Sequence, residues 1–91
     1  MLVLPNELTH SQATACLALL LQGLRSHGQA QVVLDASSLT RFDSAALAVL
    51  LEFGRECLAL GKYFSIRGMP VRLRDLATLY GIADLLPAEQ A

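Results

Sequence analysis

The residues best suited to chemistry are Asp43 and Ser44, which stand where a strand-like run gives way to a helix-like run. A serine hydroxyl beside a carboxylate could act as a nucleophile or accept a phosphate at the positive end of a helix dipole. A nucleophile needs a base to take its proton, and many serine hydrolases place it in a G-x-S-x-G turn. The sequence RFDSAAL provides neither. It therefore favours contact or phosphorylation at Ser44 over catalysis.

The other reactive side chains do not form a catalytic constellation. His10 and His27 flank the first predicted helix, and both are predicted surface residues. Cys16 and Cys57 lie in apolar helical patterns without C-x-x-C spacing, which predicts buried free thiols. The chain has no Walker A loop and no dinucleotide fingerprint. We therefore predict that the protein is not an enzyme and that it binds no metal or cofactor.

Two weaker arrangements leave alternatives open. Asp35 and Asp43 could pair to hold a metal, or they could support a strand end and a helix start. The C-terminal half carries basic residues that could contact a phosphate or nucleotide, or only solvent. These residues are Arg55, Lys62, Arg67, Arg72 and Arg74. The net charge of −1 gives no electrostatic support for nucleic-acid binding.

The composition predicts one small domain with some apolar surface exposed. The chain has 91 residues, 54% of them hydrophobic, and its mean hydropathy is +0.47. Its longest apolar runs, ACLALLL and AALAVLL, are far shorter than the roughly 20 residues of a membrane-spanning helix. A basic leader followed by an apolar core is not found at its start. We therefore expect a cytoplasmic domain whose exposed apolar surface serves a partner.

Strand-like and helix-like segments alternate along the chain. The predicted strands are Met1–Leu4, Ala30–Ala36 and Tyr63–Arg67. The first predicted helix follows a Thr9–Gln12 capping box and runs to about His27, before Gly28. The second runs from Ser44 to about Leu60, before Gly61. The third runs from Pro70 to Gly81, and a short turn over Ile82–Leu86 follows it. This order predicts an α/β domain with parallel strands joined by right-handed crossovers. Since one face of the strands is partly polar, we expect the helices to lie chiefly on the other face.

The second helix has two distinct arcs at 100° per residue. A wide apolar arc holds Leu47, Val49, Leu50, Leu51, Phe53, Cys57, Leu58 and Leu60. The opposite arc holds Ser44, Ala45, Ala48, Glu52, Arg55, Glu56 and Ala59. This second arc is either a solvated face or a surface that another chain can approach closely. The third helix presents Leu73, Leu76, Ala77 and Tyr80 on one face.

The stretch VVLDASSLTRFDSAALAVLL resembles the STAS domain family, whose second helix begins with an acidic residue and Ser or Thr in the motif D-[ST]-x-G-L. Asp43, Ser44 and Leu47 match this motif, and Ala46 replaces the usual glycine. LPNELT, LRDLATLYGI and ADLLP are similar to the MlaB-like subgroup. Most family members have an additional N-terminal strand, so we expect Met1–Leu4 to form an exposed edge.

The resemblance implies a STAS fold over residues 1–87, a frayed tail over residues 88–91, and a non-catalytic regulatory or assembly subunit. The implied partner is the ATPase of a bacterial Mla-type phospholipid-transport ABC complex. The domain would then be peripheral to the inner membrane only through that partner. The implied partner-binding residues are Asp43, Ser44, Ala45, Ala48, Glu52, Arg55, Arg72, Asp75 and Leu79.

A second function implied by the family is that of an anti-sigma factor antagonist. Its partner would be an anti-sigma factor kinase, and Ser44 would be the phosphorylation site. The exposed edge strand also predicts a homodimer. A phosphate- or nucleotide-binding domain that uses the basic residues is the third alternative.

Overall fold

The computed structural model describes residues 2–89. It contains the three predicted strands and three predicted helices, together with two short additional strands. In chain order they are β1 (Leu2–Val3), β2 (Glu7–Leu8), α1 (Ala13–Arg25), β3 (Gln31–Asp35), β4 (Arg41–Phe42), α2 (Ser44–Ala59), β5 (Tyr63–Arg67), α3 (Val71–Leu79) and a 3-10 helix (Ala83–Leu85).

The main sheet has the order β1-β3-β5, and both of its strand pairs are parallel. Val32, Leu34 and Ala36 are buried beneath the helices, together with Ile66 of β5. The residues that alternate with them are exposed or half-buried. The predicted architecture, a small parallel sheet with helices chiefly on one face, is therefore confirmed.

The first helix begins later than predicted. The Gln12 side chain accepts hydrogen bonds from the Thr9 backbone N–H (2.8 Å) and hydroxyl (2.6 Å). These bonds close a turn that precedes α1, whose first residue is Ala13. Gly28 was predicted to end this helix, but it lacks the left-handed backbone that Gly61 and Gly81 adopt after the other two helices.

A second, two-stranded sheet was not predicted. In it β2 pairs in parallel with β4, with Glu7 opposite Arg41 and Leu8 opposite Phe42. Two-residue strands are too short to show an alternating pattern, so periodicity could not reveal them. The pair is important because it holds the backbone in place immediately before Asp43.

The chain after Leu86 returns to the main sheet. The Ile66 N–H donates to the Pro87 carbonyl (2.8 Å), and the Glu89 N–H donates to the Ile66 carbonyl (2.9 Å). The Arg67 Nε lies 2.6 Å from Glu89 Oε1. The predicted frayed tail therefore differs from the structure at Ala88 and Glu89, because both belong to a segment paired with β5. Gln90 and Ala91 lie outside the described residues.

At the edge of the sheet opposite β5, the outer strand is β1. Val3 is exposed, whereas Leu4 is buried and its N–H donates to the Asp35 carbonyl. The structure thus places an edge strand where one was expected, although Met1 lies outside the described residues. Pairing of this edge with a second copy stays a prediction.

Candidate functional site

Asp43 fixes the start of α2. One carboxylate oxygen, Oδ1, accepts from the Ala45 N–H at 2.8 Å, and Oδ2 accepts from the His10 N–H at 3.0 Å. These two hydrogen bonds hold the pKa of the Asp43 carboxyl below its ordinary value, with the His10 bond the larger cause. Asp43 is therefore both the N-cap of α2 and a tie between α2 and the turn before α1.

Ser44 is the first residue of α2, and its side chain is exposed. Within residues 2–89 its hydroxyl makes no hydrogen bond. The nearest carboxylate in sequence, that of Asp43, is already occupied by two backbone N–H groups. Ser44 thus presents a small polar side chain at the positive end of the helix dipole, where contact or modification is possible.

The predicted small-residue arc of α2 is on the outside of the molecule. Ala48 and Arg55 are exposed, and Ala45 and Glu52 are half-buried. Arg55 Nη1 lies 3.6 Å from Glu52 Oε1 across one helical turn. By contrast Ala46, which stands where the family motif has glycine, is fully buried. A partner approaching this arc meets alanine side chains first and a charged pair at their margin.

One contact brings α3 beside the start of α2. The Arg72 guanidinium lies over the Phe42 ring, 5.1 Å from its centroid, in a cation–π arrangement. Phe42 directly precedes Asp43. Asp75 and Leu79 follow Arg72 at helical spacing on the same face of α3, and both are exposed. The cation–π contact thus joins Arg72, one of the three predicted α3 residues, to the start of α2.

Three residues of the predicted apolar faces of α2 and α3 are exposed. Leu58 is 71% exposed, and Leu60 and Tyr80 also lie mainly in solvent. Leu58 lies at the margin of the apolar arc of α2, whereas Leu60 and Tyr80 are the C-cap residues of α2 and α3. All three side chains therefore lie outside the buried core.

Some residues that shape the site were missed by the sequence interpretation. The His10 backbone N–H and the Phe42 ring are 33 and 30 positions from the groups that they contact. No local spacing could indicate these pairs. Leu85, exposed beside the end of α2, was likewise not recognised as part of a surface.

The basic residues of the C-terminal half have separate structural partners. The Lys62 ammonium donates to the His27 and Gln29 carbonyls. Arg74 donates to the Leu86 carbonyl at 2.9 Å. Arg67 and Arg74 line one cleft, but Glu89 lines it too and pairs with Arg67. These contacts assign Lys62, Arg67 and Arg74 to the fold.

The other groups considered for chemistry also have identifiable surroundings. Asp35 accepts from the Ser37 N–H and hydroxyl, which hold the pKa of its carboxyl below the ordinary value. Cys16 and Cys57 are buried free thiols, as predicted. Within the described residues, no three His, Cys, Asp or Glu side chains are grouped as metal ligands would be. The helices of residues 2–89 also include none with the length and hydrophobicity needed to span a membrane.

Comparison with known proteins agrees with this geometry. A family model described as "Mlab, STAS domain" matches residues 1–87. The chain belongs to the STAS family. No curated protein matches it significantly. STAS domains are in general non-catalytic binding domains. The exposed α2 face of this STAS domain, with Asp43 and Ser44 at its head, is accordingly a candidate surface for regulatory binding.

Proposed function

We propose that this STAS domain is a regulatory or assembly subunit that binds the ATPase of a bacterial Mla-type phospholipid-transport ABC complex. The observation that carries the proposal is the exposed small-residue face of α2, headed by Asp43 and Ser44. The MlaB description of the matching family model supports the same partner. In this proposal the domain is cytoplasmic and reaches the inner membrane only through the ATPase.

The small side chains determine how the partner would approach. Ala48 allows the partner's backbone or flat side chains to lie close to α2, while Glu52 and Arg55 offer charged contacts at the rim. Arg72, Asp75 and Leu79 would flank this contact from α3. The proposal assigns no catalytic role to any residue of this surface.

Co-expression with the ATPase tests this face through Ala48→Arg. A long charged side chain there would keep the two surfaces apart and leave a charge without a partner, so binding should weaken by at least about tenfold. The matched control is Ala18→Arg, which changes an exposed alanine of α1. The measurement is the dissociation constant of the purified complex. Wild-type affinity in the Ala48→Arg variant would contradict the proposed face.

A second candidate function is an anti-sigma factor antagonist whose docking is controlled by phosphorylation of Ser44. The exposed hydroxyl, free of hydrogen bonds within residues 2–89, favours it. A phosphate adds about −1.5 to −2 charges, which the helix N-terminus stabilises but which the adjacent Asp43 and a closely packed partner do not. Phosphorylation should therefore weaken docking to the anti-sigma factor kinase.

Mass spectrometry of the native protein and binding measurements on Ser44→Asp test this second candidate. An unmodified Ser44, together with unchanged binding of Ser44→Asp to the kinase, would reject it. Neighbouring genes discriminate between the two functions. An ABC ATPase and permease favour the transporter subunit, and an anti-sigma factor kinase favours the antagonist.

A further inference from the structure

A groove of about 530 Å³ lies beside the second half of α2. Its lining includes Arg55 and Leu58 of α2, Tyr63 and Phe64 of β5, and Asp84 and Leu85 of the 3-10 helix. Its volume is in the range of protein binding sites. Arg55 also belongs to the proposed docking face, so the groove continues that face toward the end of the helix.

The part of the groove lined by Gly54 and Phe64 is shaped by a close approach of α2 to β5. Gly54 makes this approach possible, because a Cβ atom at that position would lie only 3.0 Å from Cδ2 of the Phe64 ring. Phe64 in turn packs edge-on against the fully buried Phe53, with ring centroids 5.5 Å apart. This part of the groove therefore rests on the packed contact of Gly54 and Phe53 with Phe64.

Three apolar side chains at the groove are left largely in solvent. Leu58 and Tyr63 are each 71% exposed, and Leu85 is 62% exposed. They come from three different elements, so their convergence does not follow from one amphipathic helix. A small ligand is normally enclosed over most of its surface. Side chains that project this far are better matched to a protein segment lying across them.

Two charged residues of opposite sign line the groove, Arg55 from α2 and Asp84 from the 3-10 helix. The Arg55 side chain is 79% exposed, and within residues 2–89 its one ion pair is the 3.6 Å contact with Glu52. Asp84 has no ion pair within residues 2–89. A complementary occupant therefore carries an acidic group toward Arg55 and a basic group toward Asp84, in addition to its apolar residues.

We infer that this groove receives an amphipathic helix of the docking partner, with an apolar residue between Leu58 and Leu85 and with charges opposite to those of Arg55 and Asp84. This inference rests on the proposed function and adds a second contact to it. The α2 arc meets the body of the ATPase, and the groove holds one helix of the same protein. Helix-in-groove binding of this kind uses apolar anchors spaced three or four residues apart.

The test measures binding of the full chain to the purified ATPase for Leu58→Ser, Leu85→Ser and Asp84→Lys. All three positions are exposed, so the fold should be retained. We expect the Leu58→Ser/Leu85→Ser double variant to weaken binding by at least about tenfold, and Asp84→Lys by several-fold. Leu19→Ser is the matched control, because Leu19 is a 69% exposed leucine on α1. It should bind within about twofold of wild type.

Hydrogen exchange of the wild-type complex supplies a second measurement. Protection should extend from the start of α2 to residues 83–87, and it should include one amphipathic helix of the ATPase. Groove variants that bind like wild type, while Ala48→Arg still breaks the complex, would overturn the groove and leave the proposed function intact. Failure of the wild-type protein to bind would instead overturn the proposed function, and the groove inference with it.

A lipid occupant is the remaining outcome, and a short-chain phosphatidylcholine is its probe. If the free domain binds the monomeric lipid, Leu58→Ser abolishes that binding, and the affinity for the ATPase is unchanged, the groove is a lipid site. That result would overturn the inference of a partner helix.

Discussion

Asp43 has a structural role that does not depend on any partner. Its carboxylate joins the N–H groups of Ala45 and His10, so it links two segments that are 33 positions apart. Substitutions at Asp43 should therefore change the stability of the domain as well as its binding. Ser44, whose hydroxyl makes no hydrogen bond within residues 2–89, can be changed with little effect on stability.

We expect Asp43→Asn to lower the Tm at pH 7 by several degrees, because a charged N-cap and a tie to His10 are weakened. The folded pKa of Asp43 is lowered, so its ionised form contributes stability above the ordinary pKa of about 4. That contribution is lost as the pH falls through the lowered folded value. The difference in Tm between wild type and Asp43→Asn should therefore shrink in acid. Calorimetry from neutral to acidic pH measures it.

Asp75→Asn is the control for this experiment, since Asp75 is exposed and makes no hydrogen bond or ion pair within residues 2–89. Its Tm should follow that of the wild type at each pH. A difference between wild type and Asp43→Asn that stays constant into acid would show that the carboxylate charge does not stabilise the cap.

The cysteines provide a separate test at the residue scale. Burial raises the pKa of Cys57 to about 11, and burial also raises the pKa of Cys16. The thiolate is the reactive form, so a thiol reagent at about pH 8 should label neither residue in the native protein and both in urea. Ser38→Cys, which introduces an exposed thiol, should react rapidly. Fast labelling of native Cys57 would show that the core opens around it.

At the scale of the elements, long periodic segments were predictable and short ones were not. The alternation of β3 and β5 and the extent of α2 followed from side-chain patterns. The β2–β4 pair and the pairing of Ala88 with Ile66 depend on contacts between distant segments. The capped start of α2 was predictable from Asp43 and Ser44. The groove was not, because three separate elements form it.

The turn between β5 and α3 contains a glycine with two separate requirements. Gly68 has a left-handed φ of 66°, and a Cβ atom there would lie 2.8 Å from the Ser37 Cβ and 3.2 Å from the Ser37 Cα. Gly81 has a similar φ of 74°, but no atom lies within 4 Å of its Cβ position. Substituting the two glycines by alanine therefore separates two free-energy costs. One is the cost of the left-handed backbone conformation, and the other is the cost of steric crowding.

We expect Gly81→Ala to lower the free energy of unfolding by about 1–2 kcal/mol, because alanine is penalised in a left-handed conformation. Gly68→Ala should cost about 1–3 kcal/mol more, since the Ser37 backbone must move to admit the methyl group. Urea unfolding of the two variants and the wild type measures both values. Equal losses would mean that the contact between the turn and Ser37 is loose.

On the scale of the whole molecule, the segment Pro87–Glu89 covers the edge of β5. It supplies two backbone hydrogen bonds with Ile66 and a bidentate contact between Glu89 and Arg67. An uncovered edge presents backbone groups that can pair with another chain. The high apolar content of the sequence predicted exposed apolar surface, but it could not show which strand edge is protected.

A chain ending at Leu86 should therefore unfold at a lower temperature and associate with itself as its concentration rises, through the β5 edge. A chain ending at Glu89 is the control, because it keeps the hydrogen bonds and the ion pair. Light scattering measures the mass of each chain across a concentration series. If the chain ending at Leu86 stays monomeric with an unchanged Tm, the segment does not protect the edge.

The parallel strands also determine how the domain must fold. β3 pairs with β1 on one side and with β5 on the other, and a helix lies in the chain between each pair. Each pairing therefore requires the closure of a long loop before its hydrogen bonds can form. Neither half of the chain holds the complete sheet, so we expect a single cooperative folding transition. Its rate should be lower than that of a helical bundle of the same length.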